Sequence, residues 1–193
     1  MNTQAQKKQV LLNALYEPYK KCMACPLATL GRKNVVFGEG NPDAKLMFIG
    51  EGPGQEEDSQ ARPFVGRSGK LLTRILTMLG VERSQVFITN IVKCRPPQNR
   101  KPLPLESATC KNLLLFKQIQ IIEPKVICTL GATALEALLE KEIKIGAMRG
   151  KETIFNNIVL IPTFHPAYIL RNPNELEKIT FDIQTAIKTS ALV

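Results

Sequence analysis

The chain has 193 residues, 44% of them hydrophobic, which is enough to bury one sizeable core, so a single domain spanning 1–193 is expected. No stretch approaches the roughly 18 apolar residues that a membrane span needs, and Met1–Gln9 is polar with no apolar signal core, so a soluble cytoplasmic protein is expected. Lys plus Arg number 26 against 17 Asp plus Glu, a net charge of +9 that favours a polyanion, nucleic acid first, although a solvated basic surface gives the same count.

Residues 3–19 have the spacing of an amphipathic helix that Lys20–Pro26 interrupts, which puts Cys22 and Cys25 on a tight turn. The run Lys45–Ile49 ending in Gly50-Glu51-Gly52-Pro53-Gly54 reads as a buried strand entering a glycine-rich loop. Residues 68–79 return to helical spacing, with Ser68 as N-cap and Gly80 as the stop. Residues 86–92 read as a strand, 93–104 as a basic proline-rich loop, 105–122 as a helix, and 126–130 as a strand followed by Gly131 and a helix over 132–140. Ile154-Phe155 and Ile158–Ile161 flank the turn Asn156-Asn157 as a hairpin, and a last helix starts near Asn172-Pro173 and runs to Thr189. Strands separated by helices imply an α/β fold, a mostly parallel sheet with helices on both faces, whose ligands bind beyond the carboxyl ends of the strands. Loops 50–54, 90–100 and 163–168 each follow an apolar strand, so one crevice can collect them.

Five cysteines in a chain with no export signal point to metal rather than disulfides. Cys22 and Cys25 can chelate locally, whereas Cys94 and Cys110 must be supplied by folding. A zinc ribbon repeats the close pair, while fifteen residues between the second two suit an iron–sulfur cluster in a larger fold. Cys128, within an apolar strand, reads as a small core residue. The glycine loop offers backbone N–H groups to a flat base or an oxyanion, though glycines at strand ends also form plain turns. Gln55-Glu56-Glu57-Asp58 is either a solvated acidic run or, in a basic protein, a set of carboxylates with a local task. Phe64 lies among basic and small residues just before a helix and is either a stacking ring or a core side chain. His165, the chain's one histidine, follows a strand and is locked by Pro166, so a catalytic role stands beside a structural one.

Taken in order, Cys22-Met23-Ala24-Cys25-Pro26-Leu27, Gly50–Gly54 with Glu56-Glu57-Asp58, Arg62–Gly69, Thr89–Pro97, Cys110 and His165-Pro166-Ala167-Tyr168 resemble the family 4 uracil-DNA glycosylases, the iron–sulfur branch of that superfamily, over most of the chain. The resemblance implies a three-layer α/β/α sandwich around a central, mostly parallel four-stranded sheet. It implies a monomer that flips uracil out of DNA and hydrolyses its N-glycosidic bond, leaving an abasic site. It also implies a [4Fe-4S] cluster held by Cys22, Cys25, Cys94 and Cys110, serving structure and DNA-loop placement.

Phe64 is similar to the family's stacking ring, and Asn90 to its reader, accepting from uracil N3–H and donating to O4 where cytosine presents the reverse. Glu51, Gly52 and Pro53 would surround the base, and Glu57 resembles a residue near its C5 edge. His165 would act as a neutral donor to the charge gathering on O2, with Glu51 helping to orient water. At Gly52 the best-known branch of the superfamily carries an aspartate, so the implied chemistry is led by leaving-group stabilisation. Arg67, Ser68 and Lys70, then Arg95, Asn99, Arg100 and Lys101 in the basic loop from Lys93, and Tyr168 and Arg171 would hold phosphates and press into the duplex. Phe64, Asn90 and His165 must then share one pyrimidine-wide cavity. A noncatalytic iron–sulfur protein that binds nucleic acid, and a zinc-stabilised domain acting on another base, remain as alternatives.

Overall fold

The protein is described from a computed structural model covering residues 3–191. Helix α1 (Gln4–Tyr16) opens with a capping box between Thr3 and Gln6, and Lys8 fastens it through Asp43 and the Ile122 carbonyl. There follow β1 (Glu39–Gly40), β2 (Leu46–Gly50), α2 (Gln55–Gln60) and α3 (Arg67–Met78). The chain continues through β3 (Phe87–Asn90), α4 (Pro104–Cys110), α5 (Phe116–Ile122), β4 (Val126–Leu130) and α6 (Ala132–Leu139). It closes with α7 (Ile145–Met148), β5 (Thr153–Phe155), β6 (Ile158–Thr163), α8 (Pro166–Arg171) and α9 (Leu176–Ser190). None of these helices is long and apolar enough to cross a membrane.

The sheet has the order β1-β3-β2-β4-β6-β5. Its four central strands pair in parallel, as expected, and the short strands β1 and β5 add antiparallel edges. Strand alternation splits the core into two halves. Met47, Ile49 and Ile127 pack with Leu12, Ile119 and Leu135 from α1, α5 and α6. Leu46, Phe48 and Cys128 pack with Leu72, Ile75, Ile169 and Ile183 from α3, α8 and α9. The sandwich therefore has three layers, and because both sheet faces are covered, the central strands read as continuous apolar runs. Cys128 is fully buried in this core, as its sequence context suggests.

The hairpin turn at Asn156-Asn157 is as expected, with both residues at positive φ. Several boundaries differ. Gly66, not Ser68, caps α3, because the Glu57 carboxylate accepts from the Val65 and Gly66 N–H groups and fixes the chain just before the helix. The helix read over 105–122 is two helices joined by a π-turn at Lys111–Leu115. Asn172 does not cap the last helix: its amide donates back to the Tyr168 carbonyl, and a short 3-10 turn precedes α9.

Candidate active site

All four parallel strands end at one edge of the sheet, and there the loops after β2, β3 and β6 enclose an open cleft of about 880 Å³. Glu51, Gly52, Pro53, Glu57, Phe64, Arg67, Ser68, Asn99, Arg100, His165, Tyr168 and Arg171 line it, so twelve of the residues singled out in the sequence meet in one place. Its lining also includes Gln55 and Glu56 of the acidic run, and Ser59 and Gln60 of α2, which no local motif distinguishes from a solvated helix face.

Asn90 is not on the cleft wall. It is 1% exposed and sits under the floor, its Oδ1 buried without a hydrogen-bond partner. A Cβ added to Gly50 would lie 2.4 Å from Phe64 Cζ and 2.5 Å from Asn90 Oδ1, so ring and amide crowd over the same glycine. The cavity that Phe64, Asn90 and His165 were expected to share is therefore lined by Phe64 and His165 alone of the three, because the end of β3 holds the Asn90 side chain inside the core. A Cβ at Gly52 would meet Val92 Cγ2 at 2.8 Å, which leaves no room there for an aspartate.

Phe64 is buried and takes φ +50°, a conformation that non-glycine residues hold only when their surroundings dictate it. Two groups do so. Arg83 donates to the Pro63 and Phe64 carbonyls at 2.8 and 3.0 Å. The Glu57 carboxylate accepts from Gly54, Val65 and Gly66 N–H at 3.1, 2.9 and 2.7 Å, stitching the glycine loop to the Phe64 loop. The acidic run is thus structural at two positions, since buried Asp58 likewise accepts from the backbone of Lys33 and Asn34. Glu57→Gln turns one acceptor into a donor facing N–H groups. It should destabilise the fold by roughly 1–3 kcal/mol, read as a lower Tm, and slow base release as the Phe64 loop loosens.

His165 precedes α8 and its Nδ1 accepts the Ala167 N–H at 3.1 Å, which leaves the ring proton on Nε2. The ring stands 5.8 Å from that of Phe64. Burial, helped by the charge of Arg171 and opposed by Glu57, pushes its pKa down from the ordinary 6.5 to about 4. The unfolded chain therefore takes up this proton first, and the stability contributed by a neutral ring is intact above pH 6.5 and withdrawn as pH falls towards 4. Nitrogen NMR of this single histidine should find the Nε2–H tautomer, neutral throughout the physiological range; titration near the ordinary value would contradict the half-buried, capped geometry.

The basic groups divide. Arg67 and Arg171 are exposed at the cleft and make no ion pair among the described residues. Arg100 is held by buried Glu106 at 2.7 and 2.8 Å, Lys101 pairs with Glu136, and Arg95 donates to Asn99, so these side chains brace the loop before they meet any phosphate. Lys70 is exposed on α3, outside the cleft lining. Lys93 departs from the reading of a phosphate-holding loop from 93 to 101, because its side chain is fully buried. Its Nζ donates to Thr89 Oγ1 and the Asn90 carbonyl, and burial pushes its pKa down to about 7.

Behind the cleft, Cys22, Cys25, Cys94 and Cys110 pack into one half of the core. Burial pushes the Cys94 and Cys110 thiols up to about 12 and 11; Cys94 also feels the charge of the other three cysteines, and Cys110 that of Cys22 and Cys25. Thiols so reluctant to ionise alone become ligands when a bound cation compensates. Arg32, which no motif marked, lies beside them, donating to the Cys22 carbonyl and keeping its Nε buried without a partner.

The family model described as the uracil DNA glycosylase superfamily matches residues 37–185. A type-4 uracil-DNA glycosylase of Thermotoga maritima is 51% identical over 183 residues, covering 93% of this chain and 94% of its own. Those of Sulfurisphaera tokodaii and Archaeoglobus fulgidus are 46% and 36% identical, covering 87% and 90% of this chain and 79% and 90% of their own. With its parallel sheet, its cleft at the strand ends and likeness over nearly its whole length, the chain belongs to the uracil-DNA glycosylase superfamily, among the type-4 uracil-DNA glycosylases.

Proposed function

We propose that this chain, as one domain and a cytoplasmic monomer, removes uracil from DNA by hydrolysing its N-glycosidic bond. The observation that carries the reading is the buried Asn90 Oδ1, an acceptor with no donor beside a cleft that holds an aromatic ring and a neutral histidine. A buried unpaired acceptor is costly, and uracil N3–H is the donor that would satisfy it. An extruded base stacks on Phe64, and the Asn90 amide also donates to O4. As the bond stretches, the sugar gains cationic character and O2 gains negative charge, which the Nε2–H of His165 stabilises without a proton transfer. Glu51 orients the water, since Gly52 leaves no space for a second carboxylate. Glu57 shapes the C5 side by holding the backbone around it. Arg67, Ser68, Lys70, Arg95, Asn99, Arg100, Lys101, Tyr168 and Arg171 form the DNA face, with Arg67 and Arg171 the cations free to meet phosphates directly.

On the same reading Cys22, Cys25, Cys94 and Cys110 hold a [4Fe-4S] cluster. Cys94 and Cys110 lie near enough to feel the charge of Cys22 and Cys25, and the fifteen residues between Cys94 and Cys110 suit a cluster in a larger fold better than a zinc ribbon, which repeats the close pair. Bound, the cluster would cross-link the turn after α1, the end of β3 and the end of α4, and so anchor the loop 95–109 that faces DNA. Cys94→Ala should lose iron and the brown colour; unchanged iron content would remove that ligand.

The deciding experiment is release of free uracil from oligonucleotides with uracil opposite guanine, opposite adenine and unpaired, with no added metal or nucleotide. DNA binding without release would mean a binding module instead.

A further inference from the structure

Of the chain's 26 basic residues, Lys93 alone among the described ones has a fully buried side chain, and no carboxylate pairs with it. Its ammonium has two neutral acceptors, Thr89 Oγ1 at 2.5 Å and the Asn90 carbonyl at 2.8 Å. A cation with only neutral partners in a core is an expensive arrangement unless an anion stands close by. The candidates are the cysteines, which become thiolates once a cluster is bound. Lys93 is followed directly by Cys94, and its backbone N–H donates to Cys110 Sγ at 3.3 Å. On the other side Thr89 Oγ1 donates to the Phe37 carbonyl, which also accepts from buried Gln118, so the ammonium enters a closed polar network under the sheet end.

We propose that Lys93 is a positioning residue that ties Asn90 to the iron–sulfur cluster: its charge offsets the anionic cluster on one side, and its hydrogen bonds to the Thr89 hydroxyl and the Asn90 main-chain carbonyl hold the end of β3 on the other. This rests on the assignment of the four cysteines to a cluster and of Asn90 to uracil. Four thiolates outnumber the positive charge of the cluster core, so the bound group is an anion whose potential responds to nearby charge. Hydrogen-bonded supports of this kind typically change activity by 10- to 100-fold when removed. A lysine at this point thus gives the cluster a route to uracil reading that needs no electron transfer.

Two full-length variants separate the two halves of the idea. Lys93→Gln keeps a donor and removes the charge, so the cluster's midpoint potential, measured by voltammetry on the iron-loaded protein, should fall. Thr89→Val keeps the charge and removes an acceptor, so single-turnover uracil release should drop by roughly 10- to 100-fold, with DNA affinity and potential unchanged and Thr89→Ser restoring the rate. An unmoved potential in Lys93→Gln overturns the charge link, and a wild-type rate in Thr89→Val overturns the positioning role. If Lys93→Gln fails to take up iron, the valine and serine pair at Thr89 still decides the positioning role, and Lys93→Arg, which keeps the charge, decides the charge link: it should take up iron, and failure to do so overturns that link. Wild-type protein that lacks iron or releases no uracil would instead refute the underlying assignment, before any variant is compared.

Discussion

Replacing His165 with alanine should slow single-turnover release of uracil roughly 100- to 1,000-fold while leaving DNA affinity nearly unchanged. The size follows from losing one preorganised donor to an oxygen that gains charge only in the transition state; an interaction made only there alters the rate more than the binding. In the proposed role the ring acts as a donor rather than a base. Nδ1 is occupied by the Ala167 N–H, and burial holds the pKa near 4, so Nε2 carries the proton at any working pH. His165→Gln, which keeps an N–H donor on a shorter and less rigid side chain, should recover part of the loss. A wild-type rate in the alanine variant would leave the backbone of the glycine loop to stabilise the leaving group unaided.

Asn90→Asp should have a still larger effect on selectivity, with uracil release falling by as much as about 10,000-fold and preference over cytosine collapsing. The wild-type carboxamide can accept from N3–H and donate to O4, whereas an aspartate offers two acceptors when ionised, or an acceptor and a hydroxyl donor of adjustable placement when protonated. Burial at 1% exposure favours the protonated form, which can complement the cytosine edge. Matched single-turnover assays on uracil and cytosine oligonucleotides, with thermal unfolding as a control for stability, read this directly. Retention of the wild-type uracil-to-cytosine ratio would mean that Asn90 does not face the base. Asn90→Ala tests the same point without adding charge, since the Lys93 contact runs through the main-chain carbonyl and survives.

Much of the architecture was legible along the chain because it depends on neighbours in sequence. An apolar run stopped by Gly50, a strand end locked by Pro166, and the Asn156-Asn157 turn each state a local backbone preference, and periodicity alone separates strands from helices. The ordered set of short motifs was likewise enough to mark the family. The short edge strand β1 and the helices α2, α7 and α8 were not visible, since they are brief and owe their form to what they pack against.

Partnership was decided only in three dimensions. Lys93 lies in a run of basic and proline residues and reads as solvated, yet it is fully buried, because the end of β3 carries it beneath the sheet towards Cys110. Glu57 and Asp58 left open a solvated run or a local task, and folding gave them the task of holding backbone N–H groups that strands and helices leave unpaired. Arg83, nineteen positions from Phe64, braces that ring's backbone with no local signal at all. Sequence by itself determined which residue types were available and the order in which the strands deliver them to one edge. Only the tertiary structure decided which charges are spent inside the protein, with Arg100 on Glu106 and Lys93 under Asn90, and which remain for DNA, because the cost of an unpaired buried charge depends on neighbours that folding alone supplies.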